Sequence, residues 1–119
     1  MDRRIELIIS KIETETSTPW DTKTLAELVR LSPSRFRHLF KQETGISPAQ
    51  YLKDYRLRKA EKMLRTTFFS VKQILKQVGI RSNSHFVHDF RKIHGVTPTA
   101  YRRIFWRVMK ARKSRKKKH

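Results

Sequence analysis

A fifty-residue internal repeat constrains this chain more than any other feature. Ser32-Pro33-Ser34-Arg35-Phe36-Arg37-His38-Leu39-Phe40-Lys41 is followed by Gly45-Ile46-Ser47-Pro48 and Tyr51. The pattern returns as Ser82-Asn83-Ser84-His85-Phe86-Val87-His88-Asp89-Phe90-Arg91, followed by Gly95-Val96-Thr97-Pro98 and Tyr101. Upstream, Leu25-Ala26 through Val29 pairs with Ile74-Leu75 through Val78, with one extra residue in the second turn. One supersecondary unit is present twice. Two copies are too few for a solenoid, so the chain reads as a pair of linked subdomains.

The local signals are helical. Ser32, Ser47 and Thr97 each place a capping hydroxyl before a proline in the first turn. Ser47 with Gln50, and Ser70 with Gln73, have capping-box spacing. Gly45 and Gly95 stand where a helix ends in a left-handed residue. These marks predict seven helices, near 3–14, 22–30, 33–44, 48–66, 71–78, 83–94 and 98–112. Ile5, Ile8, Ile9 and Ile12 form the buried stripe of the first. No stretch alternates long enough for a strand, so the expected class is all-α. The expected organisation is a first helix-turn-helix subdomain over 1–47, a long central linker helix over 48–66 and a second such subdomain over 67–112. Residues 113–119, without an apolar side chain to bury, are expected to be a disordered basic tail.

In each unit a short helix, a tight turn and a longer helix give helix-turn-helix spacing. A 100° wheel over 33–44 puts Phe36, Leu39, Phe40 and Glu43 on one side and Ser34, Arg37, His38 and Lys41 on the other. The first set is core. The second is a polar, cationic face at the end of the helix that a recognition helix inserts into the DNA major groove. Arg37 has the two donors for a guanine O6/N7 edge, and Ser34 and His38 reach neighbouring bases. In the second copy Phe86, Phe90 and Ile93 make the core face, and Ser84, Val87, His88 and Arg91 the outer one. Val87 can meet only a thymine methyl, which makes this the weaker reader. Arg35, Lys41, Arg91 and Lys92 are candidates for phosphate contacts. A helix over 48–66 spans about 28 Å, close to the roughly 34 Å of one duplex turn. Two recognition helices on one chain would therefore suit successive major grooves and an asymmetric site.

Charge points the same way. Lys and Arg number 29 against 10 Asp and Glu, a net charge of +19. Residues 101–119 hold ten of those cations and no acid, yet the rest of the chain is still basic. Such a surplus calls for a polyanion: nucleic acid first, an anionic membrane surface second. No apolar run approaches the ~18 residues of a membrane span, and the start has no signal-peptide core. The chain has no cysteine, which excludes a disulfide scaffold, thiolate-bound zinc and a cysteine nucleophile. These features fit a cytosolic protein.

Together these residues resemble the AraC/XylS (arabinose-regulator) family of bacterial transcription factors. The carrying stretches are Leu25-Ala26 through Val29, Leu31-Ser32-Pro33-Ser34-Arg35-Phe36 through Lys41, and Glu43-Thr44-Gly45 with Ser47-Pro48. They continue through Tyr51-Leu52, Tyr55-Arg56-Leu57 to Ala60 and Leu64, Val78-Gly79-Ile80, Ser84-His85-Phe86, and Phe90-Arg91-Lys92 with Gly95-Val96-Thr97-Pro98 and Tyr101-Arg102. The resemblance covers about 5–105. It implies a seven-helix DNA-binding domain with two helix-turn-helix units, and an activator that touches RNA polymerase. By position it implies base contacts from Ser34, Arg37 and His38 in one unit and Ser84, Val87 and His88 in the other. It further implies a monomer on double-stranded DNA, in a bacterial cytoplasm at the nucleoid, similar to the stand-alone members of the family. His38 and His88 stand where many members carry arginine, Leu75 where a small residue is common, and the lysine-rich end lies outside the pattern.

Rival readings differ in what they need. His85 and His88 have i,i+3 spacing beside Asp89, but a zinc site needs three or four convergent ligands. No phosphate-cradling glycine loop and no nucleophile arrangement is present, so neither catalysis nor a cofactor is expected. Trp20, before a helix start at Asp21, is expected to be structural. Asp89 occupies the wheel position of Leu39 and should find a donor or lie at the core edge. The alternative function is an architectural or RNA-binding basic protein indifferent to sequence. A further one is a protein-interaction module that offers a face such as Lys23/Glu27/Arg30.

Overall fold

The computed structural model describes residues 1–117. It contains seven helices: α1 Arg3–Thr14, α2 Thr22–Leu28, α3 Pro33–Thr44, α4 Pro48–Thr66, α5 Val71–Val78, α6 Asn83–His94 and α7 Pro98–Lys117. Among the described residues there is no strand, and no helix is long and apolar enough to cross a membrane.

The helix starts are built as their side chains dictate. Ser32 Oγ accepts from the Arg35 N–H at 3.2 Å, and Ser82 Oγ from the His85 N–H at 3.2 Å. Ser70 and Gln73 form a full capping box at α5. Asp21 and Thr24 form another at α2, and there the Thr24 N–H and hydroxyl hold the Asp21 carboxyl below its ordinary pKa. At α4 only half of the expected box exists. Ser47 Oγ accepts from the Gln50 N–H, while the Gln50 amide turns down its own helix to Asp54 at 2.8 Å.

The chain divides into two compact units, Met1–Arg56 and the part from Leu57 onward. The division falls inside α4. Unit 1 buries Ile5, Ile8 and Ile12 of α1, Leu25 and Ala26 of α2, Phe36 and Phe40 of α3 and Leu52 of α4, with Tyr51 and Tyr55 packed against them. Trp20 joins this core and donates its indole N–H to the Glu15 carbonyl at 2.9 Å. Unit 2 buries Ala60 and Leu64 of α4, Ile74, Leu75 and Val78 of α5, and Phe86 and Phe90 of α6. One helix thus closes the first core with its N-terminal half and opens the second with its C-terminal half.

Two expectations are corrected. Ile93, assigned to the α6 core face, is 64% exposed. The inward position one turn after Phe90 is taken by His94, whose ring lies 4.3 Å from that of Phe90, and Ile93 is rotated out. The second correction concerns the tail. Helix α7 does not stop near 112 but continues to Lys117, so residues 113–117 of the expected disordered tail are helical. Lys, Arg and Ala are strong helix formers, no Gly or Pro interrupts them, and cations favour a helix C-terminus. Residues 118–119 lie outside the described residues.

The turns between the paired helices differ in one informative residue. In unit 1 the Leu31 N–H reaches back to the Ala26 carbonyl at 3.1 Å, and in unit 2 the Ile80 N–H reaches the Leu75 carbonyl at 2.9 Å. The residue before that bond is left-handed in both: Gly79 at φ +81° and Arg30 at φ +56°. Glycine adopts this conformation freely, whereas a side chain there costs about 1–2 kcal/mol. Arg30→Gly is therefore expected to raise unfolding free energy by about 0.5–1 kcal/mol, part of the relief being offset by the looser unfolded chain. Gly79→Arg should lower it by about 1–2 kcal/mol. Denaturant titrations of both variants check this pair of opposite signs.

Candidate nucleic-acid interface

The two helices that follow the turns are each fixed in rotation by a phenylalanine pair. Phe36 and Phe40 of α3 are fully buried with ring centroids 5.8 Å apart. Phe86 and Phe90 of α6 are buried with centroids 5.7 Å apart. A tyrosine one helix later meets the second ring of each pair edge-on, Tyr51 on Phe40 at 5.5 Å and Tyr101 on Phe90 at 5.2 Å. With these rings inward, residues on the opposite side of each helix must face water.

They do. Ser34, Arg35, Arg37, His38 and Lys41 are all exposed on α3. On α6, Ser84, His88, Arg91 and Lys92 are exposed. Val87 departs from its expected place: it is half-buried and packs against the unit 2 core, so only part of it fronts the outer face. The reason is its i,i+3 spacing to Phe90, which sets it on the flank of the buried face rather than opposite it. A concavity of about 890 Å³ is lined by Asn83, Ser84, Val87, His88, Arg91 and Lys92. Asn83 was not among the sequence candidates. Its signal was available, since it is the first residue of the helix and carries both a donor and an acceptor. Arg30 and Arg81, in the turns leading into α3 and α6, add exposed cations beside each face.

Among the described residues no ion pair engages Arg35, Arg37, Lys41, Arg91 or Lys92. Their charge is left to solvent or to an external anion. Asp89, half-buried beside Phe90, lies at the core edge as its wheel position requires. Among the described residues no three His, Cys, Asp or Glu gather in a way that could hold a metal ion.

Unit 2 carries a polar lock that positions α6. Glu61 Oε1 of α4 accepts from Arg65 Nη1 at 2.7 Å and from the Tyr101 hydroxyl at 3.0 Å. Arg65 also donates to Tyr101 at 3.0 Å, and this bond raises its pKa. The other oxygen of Glu61 lies 3.5 Å from His94 Nε2, the last residue of α6. Three helices converge on one carboxylate. Nearby, Arg102 is partly buried, which lowers its pKa, and it donates to the Leu64 and Thr67 carbonyls at 2.9 and 3.2 Å. Those are orphan acceptors at the end of α4. Arg56 does the same in unit 1, donating to the Thr16 and Thr18 carbonyls just past α1 at 3.2 and 2.7 Å.

The family model described as a helix-turn-helix domain matches residues 25–104. The arabinose operon regulatory protein of Escherichia coli K12 is 32% identical over 103 residues, which is 86% of this chain and 35% of that protein. The C-terminal domain of the two-component response regulator yesN from Fusobacterium nucleatum superposes with a TM-score of 0.76 at 31% identity, covering 85% of this chain and 99% of that one. The DNA-binding domain of AdpA, a global transcriptional factor solved in complex with a target DNA, gives 0.80 at 27% identity, covering 86% and 92%. The chain spans about a third of the length of the curated relatives it matches first.

The lock makes a local prediction. Glu61→Ala leaves Arg65 and Tyr101 without their shared acceptor, removes the carboxylate beside His94, and should destabilise unit 2 by about 1–3 kcal/mol. Amide exchange should accelerate at the C-terminal turn of α6 and in the first turns of α7, while α3 keeps its protection.

Proposed function

The chain belongs to the AraC/XylS family and is a DNA-binding domain of its transcriptional regulators, and from that premise we propose that it reads one asymmetric double-stranded site as a monomer. Recognition helices α3 and α6 enter successive major grooves. Ser34, Arg37 and His38 read bases from the first, and Ser84, His88 and the exposed part of Val87 from the second. Asn83 joins the second set. Arg35, Lys41, Arg91 and Lys92 hold phosphates and fix the register without reading sequence. The observation that carries this reading is that both helices bury a phenylalanine pair and turn outward cations that have no ion pair among the described residues. The AdpA domain, solved with its target DNA, supports the same use of the fold.

The chemistry sets unequal roles for the two helices. Arg37 brings a planar fork that can engage guanine with two hydrogen bonds, whereas the second helix offers hydroxyl, imidazole and methyl groups. The first half-site is therefore the tighter and more selective. Bound in this way beside a promoter, the protein acts as an activator through contact with RNA polymerase, in the bacterial cytoplasm at the nucleoid. The basic run along the end of α7 adds attraction that is independent of sequence.

Selection of bound fragments from random duplex DNA tests the reading. An enriched asymmetric motif of ~20 base pairs, one groove turn for each half, is the expected result. Binding without enrichment would instead mark an architectural protein. On the selected site Arg37→Ala should cost about 1–3 kcal/mol and relax preference at one base pair. Lys41→Ala should weaken matched and scrambled DNA alike and make the salt dependence shallower. Equal behaviour of the two variants on both DNAs would contradict the division of roles.

A further inference from the structure

Unit 2 carries an aromatic patch that the DNA reading leaves unused. Phe68, in the four-residue link between α4 and α5, is 92% exposed, and its neighbour Phe69 is 42% exposed. Phe68 is not simply loose in solvent. Its ring lies 5.3 Å from that of Trp106 on α7, tilted by 58°. Trp106 is itself held: its indole N–H donates to the Arg65 carbonyl at 3.0 Å, and the Arg102 guanidinium lies 5.1 Å from its ring centroid. A fixed half-buried indole thus supports a nearly naked phenyl ring. A contiguous exposed aromatic patch rimmed by polar residues marks an interaction site, and aromatic side chains are the common anchors of such sites.

The electrostatic surroundings are one-signed. On α7 the helical repeat places Arg103, Lys110 and Lys113 one and two turns from Trp106 on its own side, all exposed. Residues 90–119 contain no Asp or Glu. We infer that Phe68 and Trp106 anchor a docking surface for an acidic segment of a partner protein that carries an aromatic or large aliphatic side chain. The apolar side chain covers Phe68, and flanking carboxylates meet Arg103, Lys110 and Lys113. Charge complementarity selects this occupant over the others. A second copy of the chain would bring another +19 to a surface that is already cationic. A DNA backbone would satisfy the cations but offers no apolar counterface to remove the phenyl ring from water. A lipid surface would receive the Phe68 ring and part of Phe69, but the Trp106 N–H that would bond at headgroup level is already given to the Arg65 carbonyl. The patch is built on the link that follows α4 and on α7, which carry none of the base-reading candidates, so the inference does not rest on the DNA reading.

Phe68→Ser is the useful variant, since a side chain this exposed is not needed for folding. A phage-displayed library of short random peptides, selected on the wild-type protein and counter-selected on F68S, reads the surface directly. The expected products carry Phe, Trp or Leu flanked by Asp and Glu. Their affinity should fall about tenfold with F68S, the effect of removing one central aromatic, and should weaken with salt. DNA affinity of F68S should equal that of wild type. The inference is overturned if no enriched peptide distinguishes the two proteins, or if the enriched peptides are acidic without an apolar residue and bind both equally. It is equally overturned if F68S loses DNA affinity, or if phosphatidylglycerol vesicles bind wild type and not F68S.

Discussion

The outward faces of α3 and α6 depend on what those two helices bury. A phenylalanine pair at i,i+4 leaves a helix one rotation in which both rings leave water, and α3 and α6 each adopt it. The energy involved is decisive. Exposing one buried phenylalanine forfeits about 1.5–3 kcal/mol of apolar burial, against a total stability of about 5–15 kcal/mol for a domain. No surface interaction of Arg37 or His38 competes with that. The polar faces are set by the core, and their rigidity is inherited from it, which is what a reader of base edges needs.

The two units solve the same packing problem with different closures. In both, a tyrosine from the following helix meets the second phenylalanine edge-on, and an arginine from that helix donates to carbonyls at or just past the end of the first helix. Unit 1 surrounds its rings with isoleucines from α1. Unit 2 substitutes Glu61, Arg65, Tyr101 and His94, a polar assembly in which one carboxylate serves three helices. Such assemblies demand full satisfaction, and among the described residues no buried side-chain polar atom lacks a hydrogen-bond partner. The duplicated fold therefore does not mean duplicated behaviour. Helix α3 rests on an apolar bed, and α6 in addition ends beside the Glu61 carboxylate.

Much of this was legible in the chain. The repeat gave two units, and the Ser-Pro and Thr-Pro pairs marked helix starts that the structure places at the same residues. The inward Phe pairs followed from a wheel. What escaped was set by neighbours rather than by local pattern. Ile93 reads as core by spacing until His94 takes the inward place against Phe90 and Tyr101. Val87 reads as outward until its contact with the unit 2 core is seen. Lys113 reads as tail because it has nothing to bury, although helix propensity alone carries α7 onward. Arg56, Arg102 and Trp106 act on carbonyls about forty residues away, and no local motif announces such a bond. The strain at Arg30 became visible only through its backbone angle.

The claim that the core aims two reading faces at one duplex is tested most directly by methylation interference on a bound DNA site. Guanines methylated at N7 block side chains in the major groove and leave phosphate contacts intact. The account predicts interference in two clusters about one helical turn apart on the same face of the duplex, the stronger under α3. Binding that no methylated guanine disturbs, or a single cluster with nothing one turn away, would contradict it.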